Sequence, residues 1–220
     1  MKIKMLICPP ENCSQCKRLY MYRIENRKKF PNYHNNPVIS FGSLDAEILI
    51  VGLAPGLHGA NQTNRPFTND YAGDILYPTL KKYGFAQGKY LKIKDDSYKL
   101  CNVRVTNAVR CVPPQNKVNA EEITNCNRFL INEISSMNNL KLILCLGSVS
   151  HGAVLKALGY SKAMYKFKHG VTYLLPEYNL ILIDSYHTSR YNINTNVLTQ
   201  EMFDKIILKI KSLLKLNYNI

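Results

Sequence analysis

The chain has 220 residues, 46% of them hydrophobic, and a formal net charge of +14 at pH 7. Such a length and composition support a sizeable packed core and exclude a disordered or fibrous chain. No apolar run in the sequence approaches the roughly 18 residues of a membrane-spanning helix. The positive excess favours a polyanionic partner, nucleic acid first. Residues 1–8 carry Lys2 and Lys4 but too short an apolar stretch for a secretory signal, which points to the cytoplasm.

In chain order, Cys13 and Cys16 form a C-x-x-C, and residues 17–29 are basic and helical in pattern. Residues 31–37 are irregular, with Asn and Pro clustered. Residues 48–51 are an apolar β-branched run that reads as a buried strand and stops at Gly52. Pro55, Gly56 and Gly59 then disfavour helix and strand alike. A helical pattern resumes from Gly73, apolar at Ile75, Leu76, Leu80 and Tyr83. Between them runs a loop of about twenty residues, longer than strand-to-helix connections usually are. It carries His58, Asn61, Asn64, Arg65, Phe67, Asn69 and Asp70, a polar set with one large aromatic, as expected of a pocket for something flat.

Residues 87–98 are polar and Lys-rich and read as a loop. Residues 103–109 read as a second strand, stopped by Cys111, Pro113 and Pro114. Asn119 followed by Glu121 and Glu122 marks a helix start, with Ile123, Cys126, Leu130 and Ile134 on one face. Residues 142–146 form a fully apolar third strand, and residues 149–158 a helix closed by Gly159. Residues 171–175 suit an edge strand; residues 180–183 are a fourth central strand, followed by a polar loop over 184–192. Thr199 caps a final helix with the apolar stripe Met202, Phe203, Ile206, Ile207, Ile210, Leu213 and Leu214. The alternation predicts one α/β domain over 1–220: a three-layer αβα arrangement with a central, mainly parallel, four-stranded sheet.

Two constellations carry chemistry. Seven cysteines, an odd number in a reducing compartment, argue against a disulfide framework. Cys13, Cys16, Cys111 and Cys126 could hold tetrahedral zinc or an iron–sulfur cluster, and their spacing does not choose between the two. Cys145, inside an apolar strand, suits plain burial. The second constellation joins the loop after residue 51 to the loop around His187. Both follow central strands, so both open on one edge of a parallel sheet. One brings Phe67 and Asp70, the other His187 with Ser and Arg following; His34, His151 and His169 lack that setting.

These residues lie in three segments that resemble a known family. G-L-A-P-G-L-H-G-A-N-Q-T-N-R-P-F-T-N-D-Y-A-G-D-I-L-Y at 52–77 looks like the first motif of the family 5 (type B) uracil-DNA glycosylases. V-T-N-A-V-R-C-V-P-P-Q-N-K at 105–117 resembles their middle segment, and S-Y-H-T-S-R-Y-N-I-N-T-N-V-L-T at 185–199 their histidine motif. The match departs from the family pattern at three places: Thr188 stands where a Pro is usual, Asn69 where a Gly precedes the acid, and Asn196 with Val197 where a Gly-Arg pair is common.

The resemblance implies a glycosylase that takes uracil out of the stack and hydrolyses its N-glycosidic bond. Phe67 then supplies the stacking face and Asn107 the amide that reads O4 and N3; Gly52 and Ala54 are substrate-binding positions, the backbone near Gly52 a second candidate donor to uracil O2. His187 is the donor to uracil O2, and Asp70 the catalytic acid that orients water. Ser189, Arg190 and Tyr191 contact DNA. The motifs place no lysine as a nucleophile, so an abasic site without strand cleavage is expected. The cysteine quartet corresponds to a structural [4Fe–4S] cluster, with zinc as the alternative. The implied partner is uracil-containing DNA, with no nucleotide cofactor and no membrane, and a nucleoid-associated monomer is expected. Two other readings stay open: a non-catalytic nucleic-acid-binding module with a redox-sensing cysteine cluster, and a glycosylase preferring hypoxanthine or xanthine.

Overall fold

The computed structural model describes residues 6–216, so Lys2 and Lys4 of the expected N-terminal stretch lie outside the described residues. The elements run α1 (Lys17–Lys29), β1 (Ile48–Gly52), α2 (Ala60–Thr63), α3 (Tyr71–Lys82), β2 (Ala86–Gln87), β3 (Lys99–Leu100), β4 (Val103–Asn107), α4 (Ala120–Ser136), β5 (Leu142–Leu146), α5 (Ser148–Ala157), β6 (Thr172–Leu175), β7 (Leu180–Ser185), α6 (Arg190–Asn194) and α7 (Gln200–Leu216). The main sheet has the order β4-β1-β5-β7-β6. β4, β1, β5 and β7 are parallel, and β6 is antiparallel to β7. The four-stranded expectation is thus corrected to five. The added strand pairs only on one side and keeps Leu174 64% exposed, which is why its apolar signal is weak.

Each central strand is buried on both faces, and its alternate side chains serve two cores. Ile48, Ile50, Leu142, Leu144 and Ile183 pack with Leu76 and Leu80 of α3 and Phe203, Ile207 and Ile210 of α7. Leu49, Val51, Ile143 and Leu182 pack with Leu130 and Ile134 of α4 and Val154 and Leu155 of α5. This is the expected three-layer arrangement. Among the described residues no helix is long and apolar enough to cross a membrane.

Local signals place the helices. Asn119 accepts from the Glu122 N–H at 2.8 Å while Glu122 Oε2 accepts from the Asn119 N–H at 2.9 Å, a complete capping box at α4. Thr199 Oγ1 accepts from the Met202 N–H at the start of α7. Two segments differ from expectation. The second strand ends at Asn107, not 109, and the polar stretch after the fourth parallel strand contains α6, whose N-cap Ser189 accepts from the Asn192 N–H. Strand order reverses across β1, between β4 on one side and β5 on the other, and in such sheets the ligand crevice opens beyond the strands' carboxyl ends at that point.

Candidate active site

A cleft of about 420 Å³ opens at that edge. Its walls come from the segment after β1 (Leu53, Ala54, Pro55, Gly56), the loop before α3 (Phe67, Asp70), the end of β4 (Asn107) and the segment after β7 (His187, Ser189, Arg190). A second cleft of about 270 Å³ lies on the other side of His187, between Gly147 and Ser148 at the start of α5 and Phe167 and Tyr186.

Phe67 is fixed by glycines. A Cβ on Gly52 would sit 2.4 Å from the Phe67 ring and 2.5 Å from Asn107 Oδ1, and one on Gly73 would sit 1.9 Å from the Phe67 carbonyl oxygen. Phe67 itself has φ +59, a left-handed backbone that bulky residues rarely adopt and that clusters at functional sites. Gly52 does not line the cleft; its role is to let the ring and the amide approach over the end of β1. Ala54 does line it.

Asp70 occupies the N-cap position of α3 yet makes no cap hydrogen bond, forgoing the roughly 1 kcal/mol a cap contributes. Its carboxylate turns into the Gly56–Ala60 bend instead, where Oδ2 accepts from the Ala60 N–H at 3.1 Å. Gly56 and Gly59 leave the room: a Cβ on either would stand 2.2 or 2.0 Å from a carboxylate atom. Burial pushes the Asp70 carboxyl above its ordinary range, opposed by the Ala60 and Gly56 backbone N–H groups. Asn69, where the family pattern has glycine, takes φ +61, a conformation asparagine tolerates better than most residues.

On the opposite wall, the His187 ring lies nearly parallel to Phe67, with centroids 6.1 Å apart and planes at 26°. Burial pushes its imidazole down to about 4, so it is neutral at physiological pH. Asn192 Nδ2 donates to the His187 carbonyl at 2.8 Å and fixes the backbone behind it. Thr188 is fully buried and donates its hydroxyl to the Ala72 carbonyl at 3.2 Å, tying the histidine segment to α3. Arg190 is exposed, its guanidinium 5.2 Å over the Tyr71 ring at the rim. Tyr191 is 73% exposed and does not line the cleft.

Among the described residues no side chain hydrogen-bonds the Asn107 amide or the His187 ring, although Asn107 is buried and both line the cleft. His187 is half-buried, and the polar atoms of both groups open to the cleft, where a ligand can reach them. Of the other polar loop residues expected at the pocket, Arg65 and Asn61 turn away. Arg65 is buried against Asp96, and Asn61 Nδ2 donates to Asn35 Oδ1 at 2.9 Å. His58 bonds the Tyr33 hydroxyl through Nδ1 at 3.0 Å. The structure adds Tyr71, Pro113 and Asn116 to the lining. Tyr71 directly follows Asp70 and could have been flagged; Asn116 owes its place to a φ of +56 that no pattern announces. His151 is structural, held between Asp184 Oδ1 and the Tyr165 carbonyl at 2.8 Å each.

Residues 39–211 match the family model of the uracil DNA glycosylase superfamily. The chain belongs to this superfamily. A type-5 uracil-DNA glycosylase of Thermus thermophilus is 39% identical over 206 residues, covering 91% of this chain and 93% of that protein. One from Pyrobaculum aerophilum is 35% identical over 200 residues, covering 89% and 86%. A type-4 uracil-DNA glycosylase of Sulfurisphaera tokodaii is 30% identical over 200 residues, covering 89% and 79%.

In this superfamily member a second feature lies apart from the cleft. Cys13, Cys16, Cys111 and Cys126 line one small cavity, with Leu19, Val109 and Phe129 beside them. Arg23, fully buried, donates to the Glu11 carbonyl at 2.7 Å and to the Cys13 carbonyl, shaping the turn that presents the C-x-x-C. The Arg110 N–H donates to Cys126 Sγ at 3.3 Å. Burial pushes the Cys111 thiol up to about 12 and Cys126 up to about 11, and their neighbouring cysteines push the same way. Among the described residues no three His, Cys, Asp or Glu side chains are arranged to hold a single metal ion.

Proposed function

We propose that the cleft receives a uracil flipped out of DNA and hydrolyses its N-glycosidic bond, leaving an abasic site. The observation that carries this reading is the pair of unpartnered polar groups, the neutral His187 imidazole and the Asn107 amide, lining one cleft with the Phe67 ring. The base stacks on Phe67. The Asn107 amide offers a donor and an acceptor, matching uracil O4 and N3–H. A neutral His187 donates to O2, where charge develops as the bond to N1 breaks. Asp70, anchored by the Ala60 N–H, faces the sugar and orients water. The water oxygen adds to C1′, the bonding electrons leave with uracil N1, and the water's proton completes the released base. Among the described residues no lysine lines the cleft, which supports hydrolysis over a covalent imine route.

The four cysteines fit an iron–sulfur cluster, as four thiol ligands converging on one cavity. When bound, the group supplies cross-linking rather than chemistry, and the chain's own part is to hold it there with Arg23 and the α1 and α4 backbones.

Uracil release from a uracil-containing duplex by the purified protein tests the activity. Free uracil and an alkali-labile abasic site are expected. An intact duplex after stoichiometric enzyme and long incubation would overturn the reading.

A further inference from the structure

Residues 88–98, between the two strands of the small β2–β3 hairpin, serve none of the roles above. They expose Lys89, Lys92 and Lys94, with Leu91 59% and Ile93 52% exposed between them. This is basic and apolar alternation with no partner for its apolar members, yet the segment is rigidly built. Arg65 grips Asp96 through both oxygens at 2.7 and 2.9 Å, and both groups are buried. Asp96 in turn accepts from the Leu91 N–H at 2.8 Å and the Tyr98 N–H at 3.1 Å, and Arg65 donates to the Lys94 carbonyl at 3.2 Å. The Arg65 guanidinium also lies over the rings of Phe41, Tyr77 and Tyr90, 5.0 to 5.7 Å away. A buried ion pair of this quality is spent on holding an exposed loop in one shape.

The segment's position gives that shape a use. The Tyr90 hydroxyl accepts from the Asn69 N–H at 3.2 Å, next to Asp70. Lys92 Nζ lies 2.9 Å from Asp74 Oδ2 on α3. Asp74 is three residues beyond Tyr71, hence on the same face of α3 and one turn from the ring that carries Arg190 at the cleft rim. Positive groups therefore run from Arg190 to Lys92 and out along the loop.

We propose that residues 88–98 are a DNA-contacting arm: Lys89, Lys92 and Lys94 take phosphates of the duplex beside the flipped nucleotide, and Leu91 and Ile93 press on its groove. This rests on the glycosylase reading. The chemistry fits, because phosphate contacts are made by exposed Lys and Arg, and apolar wedges steady a distorted duplex. The exposed Lys92–Asp74 pair is no obstacle, since such pairs contribute little. The anchor on Asn69 adds a link: DNA held by the arm steadies the loop that presents Phe67 and Asp70.

The test is equilibrium binding to a duplex carrying a non-cleavable uracil nucleotide, from about 50 to 200 mM salt. Lys89→Ala/Lys94→Ala should reduce the slope of log affinity against log salt by about 1.8, or about 0.9 per lost phosphate contact. Leu91→Ser/Ile93→Ser should weaken duplex binding several-fold at unchanged slope. A wild-type slope and affinity in the lysine variant would overturn the arm. Failure of the wild type to cleave a normal uracil duplex would instead overturn the glycosylase reading, and the binding comparison is independent of it.

Discussion

Asp70 and His187 stand 117 positions apart in the sequence and meet across one cleft because each follows a parallel strand of the same sheet. Their surroundings push both toward the neutral form, the carboxyl upward and the imidazole down to about 4. For His187 the neutral form is the useful one, since it can donate to a developing oxyanion without first losing a proton. The rate should therefore show no His187 titration between about pH 5.5 and 9, and on the acid side should fall both as the imidazole protonates near 4 and as the raised Asp70 carboxyl protonates. Replacing His187 by Ala should slow single-turnover cleavage by roughly 10²–10³, the loss expected for one oxyanion donor. Asp70→Asn should slow the same step. If both act on one transition state, as proposed, the double variant should lose less than the product of the single losses. Wild-type rate with weakened binding in His187→Ala would reduce the histidine to a contact residue. Phe67, Asp70, His187 and Asn107 were legible from motif and strand position. The orientation of Asp70 was not: an Asp before a helix reads as a cap, and only the glycine-lined bend at 56–60 shows why it turns away.

At the scale of elements, the ends of β4 and α4 are joined by buried charge. Glu133 on α4 takes Arg104 Nε at 2.6 Å and also pairs with Arg110, which donates to Ser40 Oγ at 2.7 Å. Burial alone would raise the Glu133 carboxyl, but the two guanidinium groups hold it down to about 2. A folded pKa below the ordinary carboxylate value contributes stability that is present above about 4.5 and lost as pH falls toward 2. Glu133→Ala leaves two buried cations unpaired and should destabilise by about 3–5 kcal/mol, with a flatter stability–pH curve in that window. Denaturant titrations of both proteins from pH 7 to 2 check both statements, and a loss under about 1 kcal/mol would show the site admits water. The sequence announced α4 through its cap and apolar face, but not this network. Arg104, Arg110 and Glu133 are scattered over 30 residues and look like ordinary surface charges until the register of β4 beside β1 buries them. The same limit applied to α6 and to the two-residue strands β2 and β3, all short, where periodicity has little to count.

Across the whole molecule, the central strands and the long helices could be read because burial on both faces leaves unbroken apolar runs and two-layer packing leaves helical stripes. The cysteine grouping pointed to where the N-terminal segment is tied to the sheet, but the patterns could not give the contacts around it. In the structure this falls to the cysteine cavity and its surroundings: Arg18 on α1 binds Glu122 of the α4 capping box at 2.7 Å, and Leu19 packs with Val109, Cys111, Cys126 and Phe129. If the four thiols hold a cluster, they join residues some hundred positions apart, and closing so long a loop removes much entropy from the unfolded chain. Protein purified without oxygen should be brown, with broad absorption near about 400 nm, as thiolate-ligated iron gives. Cys126→Ala should lose the colour and much of its soluble yield together. Protein of this variant that does fold should keep the cleavage step within a few-fold, because the cavity shares no lining residue with the cleft. Colourless wild-type protein carrying one zinc per chain after anaerobic purification from iron-replete cells would overturn the cluster. The tie between α1 and α4 would then rest on a single tetrahedral ion held by the four sulfurs.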